Sequence, residues 1–272
     1  MRTINLSNES LVQPAERSHL VLIYRHTAAL ADAVSLYLSD GLGRGEAAVV
    51  ISTRAHWNDF RRGLEKWSLD PTRLQNEGRL VVKDARETLD SFMRDGMPDP
   101  TLFRNAVCSL FSRLALGGWP RVRAFGEMVS LLWRNGNPDG AVRLEELWSE
   151  VVRDYEVTLL CAYHGHSLAP EFHGRSAQGI YREHSHLLPP EESDRLTDAV
   201  DLAMEEVLGE SQTAALRPMI AATRRRLNVR PGAQASLLWL QAHLPGRLDD
   251  VLASARRHSS RLAEASKSEG HV

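Results

Sequence analysis

The sequence predicts an α/β fold, a mostly parallel sheet flanked by helices, with an all-helical C-terminal appendage. Three observations predict it. Short apolar runs of strand length alternate five times with amphipathic stretches of helical period, and the connections are short. The last of these runs, VTLLCAY, is apolar without interruption, as a strand buried on both faces must be. Beyond Pro190 only helical periodicity remains.

Residues 1–17 carry Pro14 and scattered polar residues that break any period, and they read as a flexible tail. HLVLIY, His19–Tyr24, is the first strand. Thr27 stands where a helix needs a cap, and Leu30, Ala33, Val34, Tyr37 and Leu38 share one face of the helix behind it. Gly41 is placed to end that helix in a left-handed cap. Ala47–Ile51 is the second strand, followed by a helix bearing Trp57, Phe60, Leu64 and Trp67. Asn76-Glu77-Gly78 turns the chain into the strand Arg79–Asp84, and a helix over Ala85–Met93 leads to the breaker-rich loop DGMPDP.

Leu102, Phe103, Ala106, Val107, Leu110, Phe111 and Leu114 form the next amphipathic stripe. Gly117-Gly118-Trp119-Pro120 ends it and opens the strand RVRAFGE. After Met128–Arg134, Asn137-Pro138-Asp139 starts a helix with Leu144, Leu147, Trp148 and Val151 on one side. Val157–Tyr163 completes the sheet. Residues 18–189 therefore read as the α/β domain, and 190–272 as about four helices interrupted at Gly209, Asn228–Gly232 and Pro245-Gly246.

The apolar runs are strand-sized, so no membrane span is expected, and the first 18 residues lack the apolar core of a secretory signal. The two cysteines, Cys108 and Cys161, sit in apolar settings and suit a reducing cytoplasm better than a disulfide framework. The net charge of −2 points to no polyanionic partner, but it is uneven. Residues 190–210 carry a charge of −7 and residues 211–272 a charge of +6, read as solvated helix faces that attract each other. RRRLNVRPG, Arg224–Gly232, is basic enough to touch phosphates, yet it lacks a recognition-helix context, and nucleic acid is not an expected partner.

The order strand, helix, DGLGRGE, AVVIS, then NEGRLVVKDA resembles the RecA-like ATPase core of the circadian-clock ATPase family. Those ATPases carry a glycine-rich loop with a lysine after the first strand, which cradles phosphates. Here Tyr24-Arg25-His26-Thr27 stand in its place, with no glycine and no lysine. A second resemblance covers more of the chain, through HLVLIY, SDGLGRGEAAVVIS, GRLVVKDA, RAFGEMVSLLW, LEELW, LLCAY and EHSHLL. These blocks, from His19 to Leu188, resemble the MEDS family, the methanogen/methylotroph sensory domains. The resemblance implies a RecA-like fold without the phosphate loop and a sensor of small molecules. MEDS domains usually accompany a DNA-binding or kinase module. No such motif is found here, so the expected output runs through the C-terminal helices to a protein partner or to a second copy in a homo-oligomer.

The candidate ligand site is Tyr24, Arg25, His26, Thr27, Glu127, Tyr163 and His184. Arg25, His26 and Thr27 lie at a strand-to-helix junction, where free N–H groups favour an anion. Glu127 follows a strand at the sheet's carboxyl edge, as a ligand anchor or as a structural partner of Arg25 or Arg123. Tyr24 and Tyr163 end two strands and are expected to line one cavity, with Trp133 beside them and His184 closing it opposite Glu127. Catalysis is not expected, because no nucleophile or metal partner for Glu127 is evident. The alternatives are residual nucleotide binding or ATPase activity, a scaffold whose pocket is filled by its own side chains, and a metal- or haem-dependent sensor. That last reading draws its ligands from Cys161, His164, His166, His173 and His184.

Overall fold

The computed structural model describes residues 9–173, 175–188, 193–226 and 232–269. Its strands are β1 (His19–Tyr24), β2 (Ala47–Ser52), β3 (Leu80–Asp84), β4 (Met93–Arg94), β5 (Met97–Pro98), β6 (Val122–Gly126), β7 (Val157–His164) and β8 (His186–Leu188). The main sheet has the order β3-β2-β6-β7-β1-β8. The pairings β2–β3, β2–β6, β6–β7 and β1–β7 are all parallel. The α/β architecture is therefore the one the sequence predicts, with β1 inside the sheet beside β7.

Contacts divide the chain into two compact units, Met1–His164 with Gly179–Ser185, and Gly165–Gln178 with His186–Val272. In the first, β1, β2 and most of β6 and β7 are buried, which is why their residues are apolar at consecutive positions. The helices begin where short polar side chains supply the missing acceptors. Asp84 accepts from the N–H groups of Arg86 and Glu87, Asp70 from Thr72 and Arg73, and Asn137 from Gly140. The breaker-rich loop DGMPDP folds as a two-stranded ribbon, β4 with β5.

Two local expectations give way. The helix after β1 runs from Thr27 to Gly43, its N-cap is His26 rather than Thr27, and no side chain caps it. Gly41 does not end that helix but lies inside it, because Arg123 of β6 needs the space: a methyl group there would come 2.3 Å from the Arg123 side chain. Arg123 is buried between Asp40 (3.0 Å) and Glu46 (2.7 Å), over the ring of Tyr37, and donates to the carbonyls of Leu11 and Tyr37. Leu11 belongs to a helical turn, Glu9–Val12, inside the segment read as a tail. Gly41→Ala is expected to lower stability by about 1–3 kcal/mol, the usual cost of an overpacked core. A urea unfolding curve would show it, and an unchanged midpoint would mean that the guanidinium relocates freely.

In the second unit, the helix Ser193–Leu208 packs against Gly232–His243 and Pro245–Glu269, and Glu210–Arg226 packs against the first two of these. Val200, Ala203, Leu237, Leu240, Val251 and Leu252 are buried there. The acidic and basic segments meet as read: Glu206 lies 2.7–2.8 Å from Ser254, Arg257 and His258. Those hydrogen bonds, Ser254 first, pull its carboxyl down to about 2. Residues 227–231 of the basic stretch Arg224–Gly232 lie outside the described residues. Among the described residues, no helix is long and apolar enough to cross a membrane.

Candidate functional site

Chemistry-bearing side chains gather at two places in the first unit. The first is the carboxyl edge of the sheet, where β1, β2, β6 and β7 end. Glu127 follows β6 and is buried, as are Met128 and Val129, which begin the helix Met128–Arg134 behind it. Its Oε1 accepts from the backbone N–H of Thr53, and its Oε2 lies 2.6 Å from Nδ1 of His56. Thr53 is the N-cap of the helix Arg54–Lys66, so His56 sits in the first turn, aimed back at the strand ends. Tyr24 meets the rings of His56 and His164 edge-on, at centroid distances of 6.1 and 5.3 Å. Burial, and then the Glu127 charge, push the Tyr24 hydroxyl well above its ordinary range. Burial, and then Arg134 and His56, lower the His164 imidazole. Arg25, His26 and Thr27 stand exposed beside them.

This edge offers a neutral phenol, a carboxylate-oriented imidazole, a second imidazole, and exposed donors at an uncapped helix start. Those are acceptors and donors for a small polar or anionic molecule. A triphosphate would need the glycine amides and the lysine that Tyr24–Thr27 do not supply.

The second place lies on the opposite face of β1 and β7. Strand alternation sends His19, Cys161 and Tyr163 toward the helix Pro138–Asp154, while Tyr24 and His164 point the other way. Glu145 of that helix has no exposed surface. Its Oε1 accepts from the Tyr163 hydroxyl at 2.7 Å, and its Oε2 accepts from the Cys161 thiol at 3.2 Å. Nε2 of His19 lies 3.2 Å from Oε2, and Nε2 of His184 lies 3.5 Å from Oε1. The two imidazoles are stacked obliquely, with centroids 4.0 Å apart. Burial lowers each to about 4, so both rings are neutral near pH 7, and it raises the Cys161 thiol well above its ordinary range.

The expected single cavity is thus two sites. Tyr163 does not share a cavity with Tyr24, because consecutive register positions, Ile23 with Tyr163 and Tyr24 with His164, face opposite sides of the sheet. His184 does not close a pocket opposite Glu127, because it stacks on His19 at the start of β1. Glu127 pairs with Thr53 and His56 rather than with Arg25 or Arg123. Of the five candidate metal ligands, Cys161 and His184 converge. His164 lies at the carboxyl edge, and His166 and His173 belong to the second unit, where Nε2 of His173 is 2.8 Å from the Ser167 carbonyl.

Sequence reasoning missed Thr53, His56, His19 and Glu145. Glu145 carried a signal: it lies four residues after Ala141 and three before Trp148, a carboxylate on the apolar face of its own helix.

The sequence model of one family, described as MEDS, the methanogen/methylotroph, DcmR sensory domain, matches residues 18–184. No curated protein matches the chain. Among solved structures, one similar chain is a KaiC-like protein from the hyperthermophilic archaeon Pyrococcus horikoshii OT3, at 13% identity and a TM-score of 0.39. The match covers 55% of this chain and 62% of that one, so the chain spans less than two thirds of its length.

Proposed function

The chain belongs to the MEDS family of sensory domains, and from that premise we propose that it is a non-enzymatic sensor whose small polar or anionic ligand binds at the sheet's carboxyl edge. The observation that carries this reading is the Glu127–His56–Thr53 constellation. It holds an imidazole in a fixed orientation where β1, β2, β6 and β7 end, beside a Tyr-Arg-His-Thr segment in place of a phosphate loop. A ligand there shifts the protein between states only through a difference in its affinity for them. The output is a change in affinity for a regulatory partner protein or a second copy, delivered through the C-terminal helices.

Thermal unfolding with a panel of short carboxylates, amines and alcohols, with MgATP alongside, tests this. A ligand at about 100 times its dissociation constant adds about 2.7 kcal/mol, which is roughly 5–10 °C for a domain of this size. We expect such a shift from one member of the panel, its loss in His56→Gln, and neither a shift nor phosphate release with MgATP. Glu127→Ala is the poorer variant, because it strips the Thr53 N–H of its acceptor and perturbs the fold. A shift with MgATP and saturable hydrolysis would replace this reading with a residual ATPase. A ligand shift that survives His56→Gln would move the site elsewhere.

A further inference from the structure

We propose that His19, Glu145, Cys161 and His184 form a closed binding site for one divalent transition metal of the zinc class, buried inside the first unit. One ligand atom from each lies within 4.8 Å of all the others. Cys161 Sγ and Glu145 Oε2 are 3.2 Å apart, His19 Nε2 is 3.2 Å from that oxygen and 3.4 Å from the sulfur, and His184 Nε2 is 3.5 Å from the second carboxylate oxygen. A tetrahedral zinc site, with bonds of about 2.0–2.1 Å to nitrogen and oxygen and about 2.3 Å to sulfur, spaces its ligand atoms about 3.3–3.6 Å apart. Cys161, His19 and the Oε2 of Glu145 already stand near that spacing, and His184 comes within the 4.8 Å that spans the set.

The hydrogen positions agree. Nδ1 of His184 is 2.7 Å from the carbonyl of Ile180, which can only accept, so Nδ1 carries the hydrogen. Ser149 donates to the carbonyl of Glu183, which leaves its oxygen to accept from Nδ1 of His19. Both Nε2 atoms therefore present lone pairs to the centre of the cluster, and second-shell acceptors at Nδ1 are the usual way a ligating imidazole is oriented. Among the described residues, Nε2 of His184 has no hydrogen-bond partner although it is buried. The Tyr163 hydroxyl holds one oxygen of Glu145 and leaves the other for the metal.

Charge makes the same demand. Glu145 has no exposed surface, and among the described residues no arginine or lysine lies within ion-pair distance of it. A divalent ion with one thiolate, one carboxylate and two neutral imidazoles closes the balance at zero, the thiol proton leaving to solvent as the ion binds. Thiolate and imidazole favour zinc, cobalt or iron over magnesium or calcium. Four protein ligands and no exposed face make it a structural or sensing centre rather than a Lewis-acid catalyst. It would tie β1, β7, the helix Pro138–Asp154 and the segment at His184 to one point.

The test uses the full chain without a histidine tag. Elemental analysis should find about one metal per chain, and the metal-stripped protein should take up one Co²⁺, with a thiolate-to-cobalt charge-transfer band and tetrahedral d–d bands. Cys161→Ser should abolish the charge-transfer band while circular dichroism stays native, and Ser149→Ala, which removes only a positioning group, should weaken Co²⁺ binding about 10–100-fold. A folded protein that shows no stoichiometric metal and no cobalt spectrum would overturn the proposal. So would a charge-transfer band that survives Cys161→Ser, or one lost instead when His164 or His173 is replaced.

Discussion

Replacing Arg123 with methionine is expected to cost about 3–5 kcal/mol, the usual penalty for breaking a buried ion pair by removing one partner. The side chain is 4% exposed and engages two carboxylates, Asp40 and Glu46, as well as backbone carbonyls from Leu11 and Tyr37. Methionine keeps the unbranched stem as far as the position of Nε, so the space next to Gly41 stays filled and the loss is mainly that of the guanidinium's ion pairs and hydrogen bonds. Asp40 retains Arg44 at 3.0 Å, but Glu46 has no second arginine within an ion-pair distance among the described residues. Urea unfolding reads the difference. A loss below about 1 kcal/mol would mean that water satisfies these acceptors at the amino edge of the sheet, and the buried clamp would then count for little.

The second large effect is expected at Trp148. Its ring is fully buried, meets Phe103 edge-on at 5.3 Å and Phe111 at 6.4 Å, and comes within 3.8 Å of where a side chain on Gly126 would begin. Trp148→Ala should cost about 3–5 kcal/mol, the transfer loss plus the cavity left behind. Trp148→Phe should cost far less, about 1–2 kcal/mol. The indole N–H is buried without a hydrogen-bond partner among the described residues, so phenylalanine removes an unsatisfied donor along with some contact area. Because Gly126 precedes Glu127, the alanine variant should also loosen the carboxyl edge. Equal losses in the two variants would show that ring area matters little and that the N–H has a partner after all.

The sheet was legible because its signal is local. Val157–Tyr163 is apolar at every position but Thr158, and only a strand covered on both faces tolerates that. Asn137-Pro138-Asp139 announced its helix through backbone chemistry confined to a few residues. Helix ends that depend on distant groups were not legible. Gly41 looks like a terminator until Arg123, far along the chain, is seen to occupy the space beside it.

The same distinction governs the sites. Glu127 could be singled out as a carboxylate beyond a strand, but its partners Thr53 and His56 come from another strand–helix junction. Tyr24 and Tyr163 both end strands, and only the register of β1 against β7 shows that they face apart. The buried cluster draws single residues from HLVLIY, LEELW, LLCAY and EHSHLL, four blocks that no spacing rule connects. A ligand set assembled from four segments leaves no motif. Its trace is polar residues standing on apolar faces.

The position of β1 has a further consequence, for how the chain is made. Its partner in register is β7, so His19 waits for Leu159 to leave the ribosome. At about 5–20 residues per second, synthesis of the intervening roughly 140 residues takes about 7–30 s. During that interval β2, β3 and β6 can pair with one another as they emerge, while HLVLIY remains an apolar strand without a neighbour. HLVLIY therefore stays unpaired longer than β2 or β3 does, and for that time it is an apolar edge open to non-native pairing.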